Sequence, residues 1–203
     1  MGKIAKIQEL VERLNQHCYE YHVLNRPSIT DKQYDILFSE LETLELETGI
    51  VLSNSPTVNV GAYEVKSKLQ KRTHPTPLKS LDKTKSIDEL NKWRKDRDVL
   101  LMMKLDGLTV EINYENGKLI GAYTRGNGEI GEDITHNAKV FKNIPLTIPF
   151  KGKLRVVGEA IIHIDSFNEI NSKLLDEEKY ATPRNLCSGS VRQLDSKICS
   201  QRN

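Results

Sequence analysis

The sequence predicts an α+β fold in which an N-terminal helical hairpin precedes a mixed domain dominated by antiparallel strands. Three observations carry that expectation. Apolar residues recur at helical spacing through the first 48 positions. Strand-like alternation flanks Asn116-Gly117, a dipeptide that supplies the two positive φ angles of a tight hairpin turn. Between those regions, Val51 to Leu81 is rich in Ser, Asn, Pro and Thr, the composition of a connector.

Ile4, Ile7, Leu10, Val11, Leu14, Cys18 and Tyr21 mark one face of a first helix over residues 3 to 24, ended by Pro27. Thr30 with Gln33 forms a capping-box signature, and Asp31 adds a favourable first-turn charge. The second helix uses Tyr34, Leu37, Leu41 and Leu44, runs to about Thr48, and closes at Gly49. Ser86 with Glu89 caps a short helix carrying Ile87, Leu90 and Trp93. Val99–Met103 reads as a buried strand. Leu108, Val110, Ile112 and Tyr114 alternate with Thr109, Glu111 and Asn113, and Lys118 to Arg125 returns as the hairpin partner. Gly131 to Phe141 suggests a helical turn, and Leu154 to Ile162 a third strong strand. Asp165 is expected to cap a helix holding Phe167, Ile170 and Leu174, and Arg184 to Leu194 to form the last helix.

The chain's 203 residues suffice for one large domain, or a domain with a smaller partner. A net charge of +2 gives no global electrostatic case for nucleic-acid or membrane binding. The local run Lys66, Lys68, Lys71, Arg72 fits a solvated loop better than a phosphate contact. Three cysteines, an odd number without Cys-x-x-Cys spacing, argue against a disulfide framework and against a zinc site, so no metal ligands are expected. No apolar run reaches membrane-spanning length and no signal-peptide core is present, which predicts a reducing, cytoplasmic setting without a membrane partner.

Candidate chemistry concentrates between Val99 and Gly131. A lysine is a nucleophile only where burial or a neighbouring cation lowers its pKa, and the apolar run before Lys104 would supply desolvation. Asp106 would share its strand face and either hold the amine or contact a sugar hydroxyl. Arg125, opening the turn cluster Arg125-Gly126-Asn127-Gly128, is placed to meet an anion near the same sheet end. Alone, Lys-x-Asp-Gly is weak, expected by chance in roughly one chain of this length in twenty.

The motifs together resemble those of NAD-dependent, bacterial-type DNA ligases, from about Leu10 to the C-terminus. Lys104-Leu105-Asp106-Gly107 is similar to the nucleotidyltransferase motif whose lysine becomes adenylylated. Thr124-Arg125-Gly126-Asn127-Gly128 and Gly131-Glu132-Asp133-Ile134-Thr135 resemble the next block, with Asn127 where Asp is usual. Gly158-Glu159 resembles the strand whose glutamate holds a ribose hydroxyl. Pro183-Arg184-Asn185 and Gly189 to Asp195 resemble a later signature. Tyr21-His22-Val23 and Asp31-Lys32-Gln33-Tyr34-Asp35 resemble the module that grips the nicotinamide mononucleotide half of NAD, which ATP-dependent ligases and capping enzymes lack. Ser55-Pro56-Thr57 to Gly61 and His74 to Ser80-Leu81-Asp82 extend the likeness.

The resemblance implies residues 1–50 as a nicotinamide-binding hairpin, 51–82 as linker and start of the adenylation domain, and 83–203 as a partial nucleotidyltransferase (ATP-grasp-like ligase) domain. It implies that Lys104 attacks NAD, with Mg²⁺ bound through the phosphates, forming lysyl-AMP and releasing nicotinamide mononucleotide. Arg125 would offer charge or stacking near the nucleotide, Glu159 would anchor the ribose, and Ser80 and Leu81 would line the adenine site. Asp106 and Arg184 join this cofactor-binding set. Tyr21, His22, Asp31, Lys32, Gln33, Tyr34 and Asp35 would orient the nicotinamide half, where aromatic faces suit a cationic ring and carboxylates suit hydroxyls. A monomer is expected, with nicked DNA as partner only for a full-length ligase.

Each residue also has a plainer reading: core packing for Tyr34, first-turn charge for Asp31, a surface ring for His22. Arg125 fits a solvated turn, and Glu159 a strand-edge charge. Only the joint pattern reverses these. Two departures stand out. Met102 occupies a position where the family motif has a glutamate able to accept from the nucleotide, and a thioether accepts weakly. The 203 residues also lack two further lysine-bearing motifs, an OB-fold, a zinc module and helix-hairpin-helix units, so nick sealing by them alone is not expected and self-labelling should be slow and partial. The alternatives are a catalytically impaired NAD- or nicotinamide mononucleotide-binding protein and a non-enzymatic nucleic-acid-binding module.

Overall fold

Helix α1 (Lys3–His22) and helix α2 (Asp31–Thr48) pair because each presents one apolar face to the other. Ile7, Leu10, Val11 and Leu14 are fully buried against Leu41, with Tyr34, Leu37, Phe38, Leu44 and Leu52 around them. Burying side chains of this size contributes about 1.5–3 kcal/mol each before the entropy of ordering them is deducted. The expected capping box is present. Thr30 Oγ1 accepts from the Gln33 amide, and Gln33 Oε1 accepts from the Thr30 amide at 2.9 Å. Gly49, at φ 67°, takes the left-handed conformation that ends α2. Beyond it, Ser55 and Thr57 each donate a 2.6 Å hydroxyl bond to the buried Glu45 carboxylate, pinning the Ser55-Pro56-Thr57 turn to α2.

This computed structural model describes residues 2–22, 24, 27–58, 68–79 and 81–202, with His22 placed by its backbone alone.

The central hairpin forms as its alternation requires. Strand β1 (Lys71–Thr73) and helix α3 (Ile87–Arg94) precede it, and the hairpin itself joins β2 (Leu108–Glu115) to β3 (Lys118–Thr124). Asn116 and Gly117 sit at φ 51° and 80°, the two positive angles of the turn. Strands β4 (Ile130–Glu132) and β5 (Lys153–Ala160) complete two antiparallel sheets, one of order β3-β2-β5 and one pairing β1 with β4. Val110, Ile112, Tyr114 and Ala122 form the inner face. They pack on Ile134, on Ala138 of α4 (Thr135–Ala138), and on Cys187 and Val191 of α6 (Pro183–Val191). The opposite face of β2 carries Thr109, Glu111 and Asn113, registered against Glu159, Val157 and Arg155 of β5. α+β is therefore both the expected and the observed class.

The structure differs from several local expectations. Val99–Met103 is neither a strand nor buried: all five side chains are exposed, Leu101 to 95%. A strand needs a partner for its backbone, and among the described residues this run has none. Its expected desolvation of Lys104 is therefore missing, and Lys104 is exposed. Helix α3 is capped by Ser86 as expected, yet Ile87, Leu90 and Trp93 are exposed, because periodicity forms a helix without supplying a surface to cover it. The segment after Gly128 begins as β4 before the short α4. Helix α5 (Ile164–Ser172) starts from His163, with Asp165 inside the first turn, and α7 (Ser196–Gln201), capped by Asp195, adds an unexpected last helix.

Candidate active site

Lys104 faces the helical hairpin across a cavity of about 480 Å³. Tyr21 enters from the last turn of α1, and Asp31, Tyr34 and Asp35 from the first turns of α2, all among its lining residues. The three α2 residues share a face because they lie three and four positions apart. Tyr34 is fixed twice, with its hydroxyl 2.9 Å from Cys18 Sγ and its ring stacked on Phe38 at 6.1 Å between centroids. His17, Cys18, Ser28 and Ile29 also line the cavity. They were missed in the sequence, although His17 and Cys18 lie four and three residues before Tyr21, one helical turn away on the same face. His17 Nδ1 stands 3.1 Å from Ser28 Oγ, and Ser28 donates in turn to Glu20. That Ser28 bond and the one from Gln16 hold the Glu20 carboxyl below its usual pKa.

Arg184 joins the hairpin to the strand domain. Its guanidinium donates to Asp106 Oδ1 at 2.5 Å and lies over the Tyr21 ring, 5.6 Å from the centroid. Burial acts against the Arg184 cation, but Tyr21, Asp106 and Glu159 outweigh it and its pKa is raised. Burial also raises the Tyr21 phenol, aided by Asp106 and Asp31 and opposed by Arg184. Asp106 therefore meets Arg184, where a strand through Lys104 had placed it beside the amine. Gly107 can approach β5 this closely only without a side chain, since a Cβ there would lie 1.9 Å from the Ala160 carbonyl oxygen.

Glu159 closes the end of the sheet. Its carboxylate accepts from the Gly107 amide at 3.1 Å and from Thr109 Oγ1 at 2.9 Å. Arg125 follows β3, half-buried, with its amide donating to the Thr109 carbonyl at 3.0 Å. Asn127, the residue that departs from the family's Asp, uses Oδ1 to accept from the Glu129 and Ile130 amides, a task either residue performs. Other expected contacts stand apart. Gln33 is engaged in the α2 cap, Lys32 is exposed, and neither lines the cavity. Leu81 is 89% exposed. Ser80 and the His22 side chain lie outside the described residues. Among the described residues no three His, Cys, Asp or Glu side chains are grouped to hold a metal, and no helix is long and apolar enough to cross a membrane.

Residues 2–61 match the family model for a DNA ligase-like, N-terminal NAD⁺-binding domain. Residues 66–203 match the model for an NAD-dependent DNA ligase adenylation domain. The chain belongs to the NAD-dependent DNA ligase adenylation-domain family. Among its relatives, a DNA ligase of Lachnoclostridium phytofermentans is 49% identical over 203 residues, covering 100% of this chain and 31% of that protein. A DNA ligase of Ruminiclostridium cellulolyticum is 48% identical, over 99% of this chain and 31% of its own length. A DNA ligase of Mycoplasma mycoides is 40% identical, over 98% of this chain and 32% of its own length. The chain thus spans about a third of the length of these ligases.

Proposed function

We propose that this chain performs the first half-reaction of NAD-dependent ligation. The Lys104 amine, having lost a proton to solvent, attacks the adenylyl phosphorus of NAD. An N–P bond forms, the bridging P–O bond breaks, and nicotinamide mononucleotide leaves, with AMP retained on Lys104 as a phosphoramidate. Such transfer depends on alignment and charge compensation more than on covalent help from the protein. The observation that carries the reading is the single cavity that Lys104 shares with Tyr21, Asp31, Tyr34 and Asp35. Two tyrosine rings suit a cationic nicotinamide and two carboxylates suit ribose hydroxyls, so the leaving half would sit where the nucleophile already points. His22, Lys32 and Gln33 are proposed at the margin of that half. Arg125, Asp106, Arg184 and Glu159 would meet the nucleotide half, with Ser80 and Leu81 towards the base.

In the proposed division, 1–50 grips the nicotinamide half, 51–82 links, and 83–203 carries the adenylation machinery. Mg²⁺ would travel on the NAD phosphates and offset their charge. Nicked DNA is proposed as acceptor only for a longer ligase polypeptide, in the cytoplasm and as a monomer.

Incubation with NAD and Mg²⁺ followed by intact mass measurement tests the reading. Slow addition of one AMP per chain is expected, abolished in Lys104→Ala; labelling that persists in the variant removes Lys104 as nucleophile. The exposure of Lys104 and of Val99–Met103 favours one second reading, a module that binds nicotinamide mononucleotide without chemistry. Calorimetric binding without any labelling would select it.

A further inference from the structure

A buried polar cluster lies behind the proposed nucleotide contacts and takes no part in them. Glu111, on the polar face of β2, is fully buried. Its Oε2 lies 2.8 Å from His74 Nδ1 and accepts from Arg155 Nη2 at 2.6 Å, while Oε1 accepts from Asn113 Nδ2 at 2.8 Å. The other ring nitrogen of His74, Nε2, lies 3.2 Å from the Arg125 carbonyl oxygen. Both nitrogens face acceptors, a carboxylate and a carbonyl, so the two contacts need an N–H on each.

The cluster binds separate segments to one another. The His74 amide donates to the Glu129 carbonyl at 2.8 Å, and the Leu78 amide to the Gly128 carbonyl at 2.7 Å. Arg155 also donates to the Thr76 carbonyl at 2.7 Å. Residues 74–78 are thereby zipped along the 125–130 turn, close enough to crowd a side chain at Gly128 or Gly131. A Cβ at Gly131 would come within 2.8 Å of His74 Nε2, and one at Gly128 within 3.0 Å of the Leu78 oxygen. Arg125 is held at both ends of its own backbone, its amide by Thr109 and its carbonyl by the Gly128 amide at 3.0 Å, within the turn, and by His74, the bond that ties the turn to residues 74–78. Those bonds fix the backbone from which its side chain leaves the turn. A buried ionic cluster is a weak source of stability compared with an apolar one of the same volume, and its best-attested use is to fix one arrangement among several.

We propose that His74, oriented by Glu111 and Arg155, is the positioning residue that sets the Arg125 turn for the nucleotide half of the site. The proposal rests on the reading of Arg125 as a nucleotide contact. It adds a residue that does not touch NAD and acts through the Arg125 backbone.

Two variants of the full chain test it, His74→Leu, which removes both donors, and His74→Gln, which retains one. In His74→Leu the maximal rate of AMP addition from saturating NAD is expected to fall about tenfold, the size of one lost hydrogen bond. Calorimetric affinity for nicotinamide mononucleotide, which sits on the hairpin, is expected to stay at the wild-type value. His74→Gln is expected to recover part of the lost rate. Amide hydrogen exchange at Leu78 and Gly128 is expected to quicken in His74→Leu, with the β2–β5 amides unchanged. A wild-type rate in His74→Leu, or unchanged exchange at the turn, overturns the proposal. Equal acceleration across the sheet, together with no recovery in His74→Gln, shows a merely structural ring and also overturns it. If the wild-type chain takes no AMP, the catalytic reading fails, and exchange at the turn alone then decides the role of His74.

Discussion

Glu111 carries its charge in a place where burial opposes it. Desolvation pushes its carboxyl up, but hydrogen bonds from Arg155 and Asn113 and the charges of Arg155 and His74 reverse that, and its pKa falls below the usual 4.5. A carboxyl whose folded pKa is depressed contributes stability that is present above its unfolded value and lost as pH falls through the folded value. Urea unfolding should therefore show the strand domain weakening as pH drops below about 4.5. Glu111→Gln should lose about 3 kcal/mol at pH 7, since it leaves Arg155 and His74 facing a neutral amide, and should be flatter through the acid range. An acid limb of wild-type steepness in the variant would show that other carboxylates govern it. Nothing in the sequence around Glu111 announced this cluster. His74 and Arg155 stand 37 and 44 residues from Glu111 along the chain, and such pairings emerge only once the sheet register is known. Tyr21, Asp31, Tyr34 and Asp35, by contrast, lie on two adjacent helices whose pairing the sequence already implies, so their convergence was legible.

At the scale of elements, legibility tracked how locally each element is determined. The α2 cap, its Gly49 terminus and the Asn116-Gly117 turn each depend on residues within four positions of one another, and all three formed as read. Val99–Met103 failed because an apolar run becomes a strand only beside another strand, and helix α3 kept its shape without gaining a core. Strands β1 and β4, three residues each, exist only through their mutual pairing and are too short for any alternation to show. Because the cap of α2 is local, its loss should be local too. Thr30→Ala removes one acceptor at the α2 N-terminus and should cost about 1 kcal/mol of hairpin stability. It should also loosen Asp31, Tyr34 and Asp35, which occupy the turns that the cap organises. Thermal unfolding and calorimetric binding of nicotinamide mononucleotide would measure both effects. Unaltered binding in a destabilised hairpin would separate the cap from the site.

For the molecule as a whole, the decisive relation is that between the hairpin and the strand domain. Among the described residues, the contacts that span it include Arg184, bonded to Asp106 and stacked on Tyr21, and Lys83, 5.8 Å from the Phe38 ring centroid. The hairpin has its own buried core, separate from that of the strand domain. Binding of the nicotinamide half and transfer of AMP should therefore respond differently when the connection is cut. In Arg184→Ala the tyrosines and carboxylates of the hairpin remain, so affinity for nicotinamide mononucleotide should change by less than about threefold, the scale of one partly exposed ionic contact. In the proposed reaction, AMP transfer also requires Lys104 to stand in line with the phosphorus, and a misplacement of about 1 Å can cost on the order of 100-fold. The labelling rate should thus fall by far more than the affinity. Arg184→Lys should not restore it, because an ammonium keeps the charge but loses the planar face that covers Tyr21. Equal losses in affinity and labelling would mean that Arg184 serves only to hold ligand, and that the orientation of the two units is set elsewhere.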